Sequence, residues 1–123
     1  MTIVIKDAFM KKRMERALHV GGDLYDFTDL AAELQKGSMQ GHVELDTWAI
    51  TQVQDFPRKR VVDIFTVVGN MEGSLLLEKS ITKWAKEINA DMLTSVGRDG
   101  WWNFRTPGWK RVGTLYSKEL KND

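Results

Sequence analysis

The chain has 123 residues, no cysteine, and 18 basic against 17 acidic side chains, for a net charge of +1. That length suits one domain, residues 1–123, whose core needs no covalent staple. The missing cysteines exclude disulfides, thiolate metal sites and cysteine nucleophiles, and they favour a reducing compartment. The balanced charge lacks the global positive field of a nucleic-acid binder, and the apolar start Met1-Thr2-Ile3-Val4-Ile5 meets Lys6 and Asp7 too soon for a signal peptide or membrane span.

In chain order, β-branched residues 2–5 predict a short strand, and Asp7 is placed to cap the helix that follows. Over 8–19, Phe9, Met10, Met14, Ala17 and Leu18 recur at helical spacing, and Gly21-Gly22 ends the element. A second helix starts at Asp26 or Thr28 and runs to Lys36, with Leu30, Ala31 and Leu34 inward and Gly37 just past its end. The period then becomes strand-like, giving candidate strands at 39–45, 47–55 and 60–68, with Pro57 in the second turn because it cannot donate to a ladder.

In the third of these, VVDIFTVVG, alternation puts Val61, Phe65 and Val67 on one face and Val62, Ile64 and Val68 on the other. A strand apolar on both faces belongs in the middle of a sheet. A helix over 74–89 carries Leu77, Ile81, Trp84, Ala85 and Ile88 on one side. A strand over 91–96 should then lie parallel to VVDIFTVVG through a right-handed crossover, and 110–120, with Val112 and Leu115, should close the sheet. The fold class is α/β in the broad α+β sense: a mixed central sheet with the order β-α-α-β-β-β-α-β-α-β.

That order resembles the acetyltransferase-like (GNAT-fold) proteins encoded by bacteriophages. The resemblance is carried by Trp84-Ala85, by Gly97-Arg98-Asp99-Gly100-Trp101 and by Pro107-Gly108-Trp109, within one stretch from Val61 to Leu120. It implies a phage protein, in the host cytoplasm during infection or in the virion, and it implies where acetyl-CoA would sit in an active member. The pantetheine would lie between two splayed parallel strands, at Val67 and Val68. The diphosphate would lie on the loop Gly69-Asn70-Met71-Glu72-Gly73-Ser74, where Gly69, Gly73 and Ser74 are the candidate contacts.

The loop departs from the family's Gln/Arg-x-x-Gly-x-Gly/Ala pattern, and Glu72 puts a carboxylate where phosphate charge would lie. At about 4 Å, with surface-like screening, such a contact costs on the order of a few kcal/mol. The same glycines also suit a plain strand-to-helix turn capped by Asn70 or Ser74. Candidate acid–base residues are Asp63 or Glu44 as base and Tyr116 as acid, although Tyr116 falls in the last strand rather than on the family's penultimate helix. A structural pairing of Asp63 with Arg98 accounts for it equally well.

Other clusters have a functional and a structural reading side by side. His42, Glu44 and Asp46 alternate along one strand face without a fourth ligand, so no metal is expected. Lys11-Lys12-Arg13 with Arg16 reads as the wet side of a helix, and Arg58-Lys59-Arg60 as a hairpin tip. Trp101, Trp102, Phe104 and Trp109 crowd a short span; they fit core packing, or with Arg105 a surface for protein partners or self-association. The reading that follows is a catalytically degenerate interaction or virion component needing no cofactor. The alternative is an acetyl-CoA-dependent N-acetyltransferase with an atypical phosphate loop.

Overall fold

The computed structural model describes residues 8–96 and 108–121. Its elements are α1 (Ala8–Val20), α2 (Phe27–Lys36), β1 (Gln40–Glu44), β2 (Thr47–Asp55), β3 (Arg60–Val68), α3 (Met71–Glu87) and β4 (Met92–Ser95). The four strands form one mixed sheet in the order β1-β2-β3-β4, antiparallel except for the parallel β3–β4 pair. Both expectations for VVDIFTVVG hold: β3 lies inside the sheet, and the strand after the helix is its parallel neighbour. The expected strand at 2–5 and the element between β4 and Gly108 lie outside the described residues.

The sheet separates two cores. On one face Met10, Met14 and Leu18 of α1 and Leu30 of α2 pack on Trp48, Ile50 and Val68; on the other Leu77, Ile81 and Ala85 of α3 pack on Ala49, Val62 and Ile64. Met10, Met14 and Leu18 are spaced by four, so they form one narrow stripe. Phe9 falls off that stripe and stays exposed beneath the Arg13 guanidinium, which corrects its expected inward position.

Capping residues set the helix ends. Asp26 and Asp29 form a reciprocal capping box at α2, and Gly37 ends that helix at φ 83°. At α3 the Asn70 side chain accepts from the Gly73 amide at 2.7 Å, so the helix starts at Met71, three residues before the expected Ser74. The cap, not the apolar stripe, decides where the first turn forms.

Alternation alone misplaces the end of β3. The pairing steps from Thr51–Ile64 to Ile50–Thr66, which leaves Phe65 as an extra residue, a β-bulge. Beyond it the parity reverses: Val67 joins Val62 and Ile64 on the α3 face, while Phe65 and Val68 pack in the α1–α2 core. An inserted residue shifts every later side chain to the opposite face and bends the strand.

Residues 110–119 form neither helix nor strand. The expected closing strand is therefore absent from the sheet, and Val112 and Leu115, three residues apart, would in any case face opposite ways in an extended chain. Trp109, immediately before it, packs against the α3-side core.

Candidate functional site

The described pairing of the two parallel strands ends just before the bulge. β3 and β4 pair from Val61 with Met92 to Ile64 with Ser95, where the Ser95 hydroxyl also donates to the Ile64 carbonyl at 3.1 Å. β3 then runs on to Val68 while β4 stops, so along 65–68 this side of β3 has no strand partner among the described residues. Val67 and Val68 have their side chains committed to opposite cores, and what they present along this edge is backbone.

This edge of β3 leads to the loop that starts α3. Of the first helical amides, Gly73 donates to the Asn70 side chain and Ser74 to the Asn70 carbonyl; those of Met71 and Glu72 have no acceptor among the described residues. Free amides at the positive end of a helix suit an anion. The exposed Glu72 carboxylate beside them opposes one. The Ser74 hydroxyl donates back to the Asn70 carbonyl at 2.9 Å.

The two loop glycines answer to Thr47, which is fully buried at the start of β2. Gly69 sits at φ 145°, and a Cβ there would come within 2.6 Å of the Thr47 Cα. A Cβ at Gly73 would run into the Thr47 hydroxyl and stand 2.8 Å from the Glu44 carbonyl. Real side chains do not approach so closely, so both positions require glycine for packing whatever else they bind. Thr47 also accepts the Asn70 amide at 3.1 Å, and the Asn70 side-chain amide donates to the Leu45 carbonyl at 3.1 Å, which ties the loop to the β1–β2 turn. From the opposite face Arg13 donates to the Gly69 carbonyl at 3.1 Å. That reach gives Arg13 a tertiary role that its place in a basic run conceals.

Asp63 lies on β3 opposite Thr94 of β4, and the Thr94 hydroxyl donates to its carboxylate at 2.8 Å. Its alternation with Val62 and Ile64 points it away from α3. Arg98, Trp101, Trp102 and Arg105 lie outside the described residues. Tyr116 is 87% exposed in the segment without regular structure. It has left the sheet in which it was expected to act as an acid.

Tyr25, between α1 and α2, went unnoticed in the sequence. Its ring meets Phe65, the bulge residue, edge-on at 5.5 Å between centroids. It also borders a half-open hollow of about 180 Å³ whose lining includes Glu15, Asp23 and Asp26. No local signal marks this tyrosine, because only the docking of the α1–α2 connection onto the bulge gives it a place.

His42 points to the α3 side, with its ring edge-on to Trp84 at 5.1 Å. Thr51 gives its one hydroxyl proton to Gln40 at 3.0 Å, so at 2.9 Å His42 must donate through Nε2. Burial lowers the His42 pKa from 6.5 to about 4, which keeps the ring neutral. Among the described residues no three metal-capable side chains converge, so His42, Glu44 and Asp46 do not form a ligand set. Arg60 is equally committed: it donates to Asp55 at 2.7 Å and to the Ile88 carbonyl at 2.7 Å, bracing β3 against the end of α3.

No protein-family model matches the chain, and no curated protein matches it. Solved structures do. A probable acetyltransferase superposes with TM-score 0.63 at 11% identity, covering 90% of this chain and 92% of its own. A Bacillus halodurans protein solved as a tetramutant gives TM-score 0.66 at 13% identity, over 98% of both chains. An aminoglycoside acetyltransferase from an uncultured soil metagenomic sample, in complex with trehalose, gives 0.59 at 11% identity, over 96% of this chain and 93% of its own.

The chain has an acetyltransferase fold. Within that fold, the end of the described β3–β4 pairing, the bulge at Phe65 and the capped start of α3 follow one another along the chain. No described helix is long and apolar enough to cross a membrane.

Proposed function

We propose that the chain binds an acyl-CoA in the crevice between β3 and β4 and acts as an N-acyltransferase on a cationic amine. The observation that carries this reading is the backbone edge of β3 over 65–68, which has no strand partner among the described residues and leads onto the Met71 and Glu72 amides, which have no acceptor among them. The edge would hold the pantetheine amides, and the helix start would hold the diphosphate. The bound thioester would supply an activated acyl group: its C–S bond would break as the amine nitrogen forms the new C–N bond, and CoA would leave as the thiol, its sulfur taking the second of the two protons that the ammonium group gives up.

The chain's own residues do the rest. Glu15, Asp23 and Asp26 around the hollow beside Tyr25 attract and orient a protonated amine. Asp63, held by Thr94, accepts the amine proton, while Tyr25 walls the acceptor side against the bulge. In this reading Tyr25, against the bulge residue Phe65, takes the place first given to the exposed Tyr116.

A thermal-shift titration with acetyl-CoA tests this, since a ligand at a hundred times its Kd adds about 2.7 kcal/mol of stability. Glu72→Gln should bind more tightly than the parent, because it removes a like charge beside the phosphates. The reading fails if acetyl-CoA stabilises neither protein at millimolar concentration.

A second reading is the one the phage resemblance implies: a catalytically silent interaction or virion component on the same scaffold. It is favoured by Glu72 at the phosphate end and by loop glycines that packing against Thr47 already requires. Acetyl-CoA binding without release of CoA in the presence of amines would support it.

A further inference from the structure

The two faces of the sheet carry different hollows. Besides the one beside Tyr25, a half-open hollow of about 350 Å³ lies on the α3 face, between β1 and α3. That volume is at the lower end of the range for small-ligand sites. Simple spacing brings its side chains together: Gln40, His42 and Glu44 alternate along one face of β1, and Ser80 and Trp84 stand four apart on α3.

Bonds already made fix what these groups present. Gln40 is committed at both ends, since its amide nitrogen donates to the Gly37 carbonyl at 2.9 Å and its oxygen accepts from Thr51 at 3.0 Å. Nε2 of His42 gives its proton to Thr51, and burial keeps the ring neutral, so Nδ1 can only accept. Ser80 gives its hydroxyl proton to the Leu77 carbonyl at 3.2 Å and keeps lone pairs on its oxygen. The half-buried Glu44 carboxylate has no hydrogen bond or ion pair among the described residues.

The hollow thus offers acceptors, one negative charge and an indole. A partly desolvated carboxylate without a partner is costly, and a cation that hydrogen-bonds it relieves that cost. Among the described residues that line the hollow none is a lysine or arginine, and Lys79 and Lys83 beside Ser80 and Trp84 in sequence are exposed. A metal ion lacks ligands, because no three metal-capable side chains converge among the described residues. A planar guanidinium meets all three features: its N–H fork matches a carboxylate, its remaining N–H groups suit further acceptors, and its face stacks on an indole.

We propose that this hollow binds a guanidinium group, with Glu44 as its counter-ion, His42 and Ser80 as further acceptors and Trp84 as its aromatic wall. It lies across the sheet from the hollow that Glu15, Asp23 and Asp26 line, so it is separate from the amine site of the acyltransferase reading.

Isothermal titration calorimetry of the whole chain with Nα-acetyl-L-arginine amide tests the site, since that probe carries no other charge and no free amine to be acylated. A Kd of about 0.1–1 mM is expected. The citrulline counterpart, similar in shape but uncharged, should bind at least about tenfold more weakly, and Glu44→Gln should weaken the arginine probe by about the same factor. The indole N–H resonance that disappears in Trp84→Phe should shift as the parent is titrated.

Methylguanidine separates the two sources of such a group. If it binds as well, the site takes free guanidinium compounds; if only the blocked arginine binds, it takes the arginine side chain of a peptide. The proposal is overturned if neither binds at about 10 mM, if the citrulline probe binds equally well, or if a folded Glu44→Gln chain binds as the parent does. Should that variant not fold, the citrulline comparison decides. Acetyl-CoA titration reads the other site, and none of these outcomes bears on it.

Discussion

His42 should make the stability of this protein depend on pH in a window that its neighbours define. The ring is half-buried between β2 and Trp84, and its Nε2 proton goes to Thr51. Its folded pKa lies near 4 against an ordinary 6.5, so between those values the unfolded chain binds the proton more readily than the folded one. The contribution is thus fully present above pH 6.5 and is lost as pH falls toward 4. At about 1.4 kcal/mol for each tenfold change in proton affinity, the upper bound is about 3 kcal/mol. Water at the exposed part of the ring screens it to about 1–2 kcal/mol.

The assay is urea unfolding at intervals from pH 7.5 to 4 for the parent and His42→Gln, whose side-chain amide still donates toward Thr51. The difference between the two proteins cancels the titration of carboxylates common to both. The parent's advantage should be constant above pH 7 and shrink by about 1–2 kcal/mol between pH 6.5 and 4. A difference that stays flat across that window would refute the reasoning.

Two further outcomes test the loop that begins α3. Gly73→Ala forces a methyl group against Thr47 and the Glu44 carbonyl, and should cost about 2–3 kcal/mol in chemical denaturation; a loss below about 0.5 kcal/mol would show that the loop moves aside easily. Asn70→Ala removes the cap on Gly73 and the bond to the Leu45 carbonyl together, and should cost about 1–2 kcal/mol, with Asn70→Ser recovering the capping part.

Much of the scaffold was legible in the residues. Strands β2 and β3 fall on the ranges that their alternation marked, Pro57 sits in its turn, and Gly37 ends α2 in the left-handed conformation. These features depend on neighbours within a few positions, where periodicity and backbone preference act directly. The acetyltransferase-like order was legible for the same reason, since it is a sequence of local elements.

The site was legible only in part. Alternation cannot show an inserted residue, so the bulge at Phe65, the reversed faces of Val67 and Val68 and the point where β3 leaves β4 appear only once register is fixed. Gly69 and Gly73 read as phosphate contacts until Thr47, more than twenty positions away, is seen filling the space beside them.

By itself, then, the sequence determined the elements from α1 to β4, their order and the parallel pairing of β3 with β4, because local spacing encodes them. Only the tertiary structure decided that Asp63 pairs with Thr94, that Tyr25 meets the bulge residue Phe65 while Tyr116 stands exposed, and that 110–119 remain off the sheet. Each of those outcomes rests on which distant residue arrives beside which, and no local pattern carries that information.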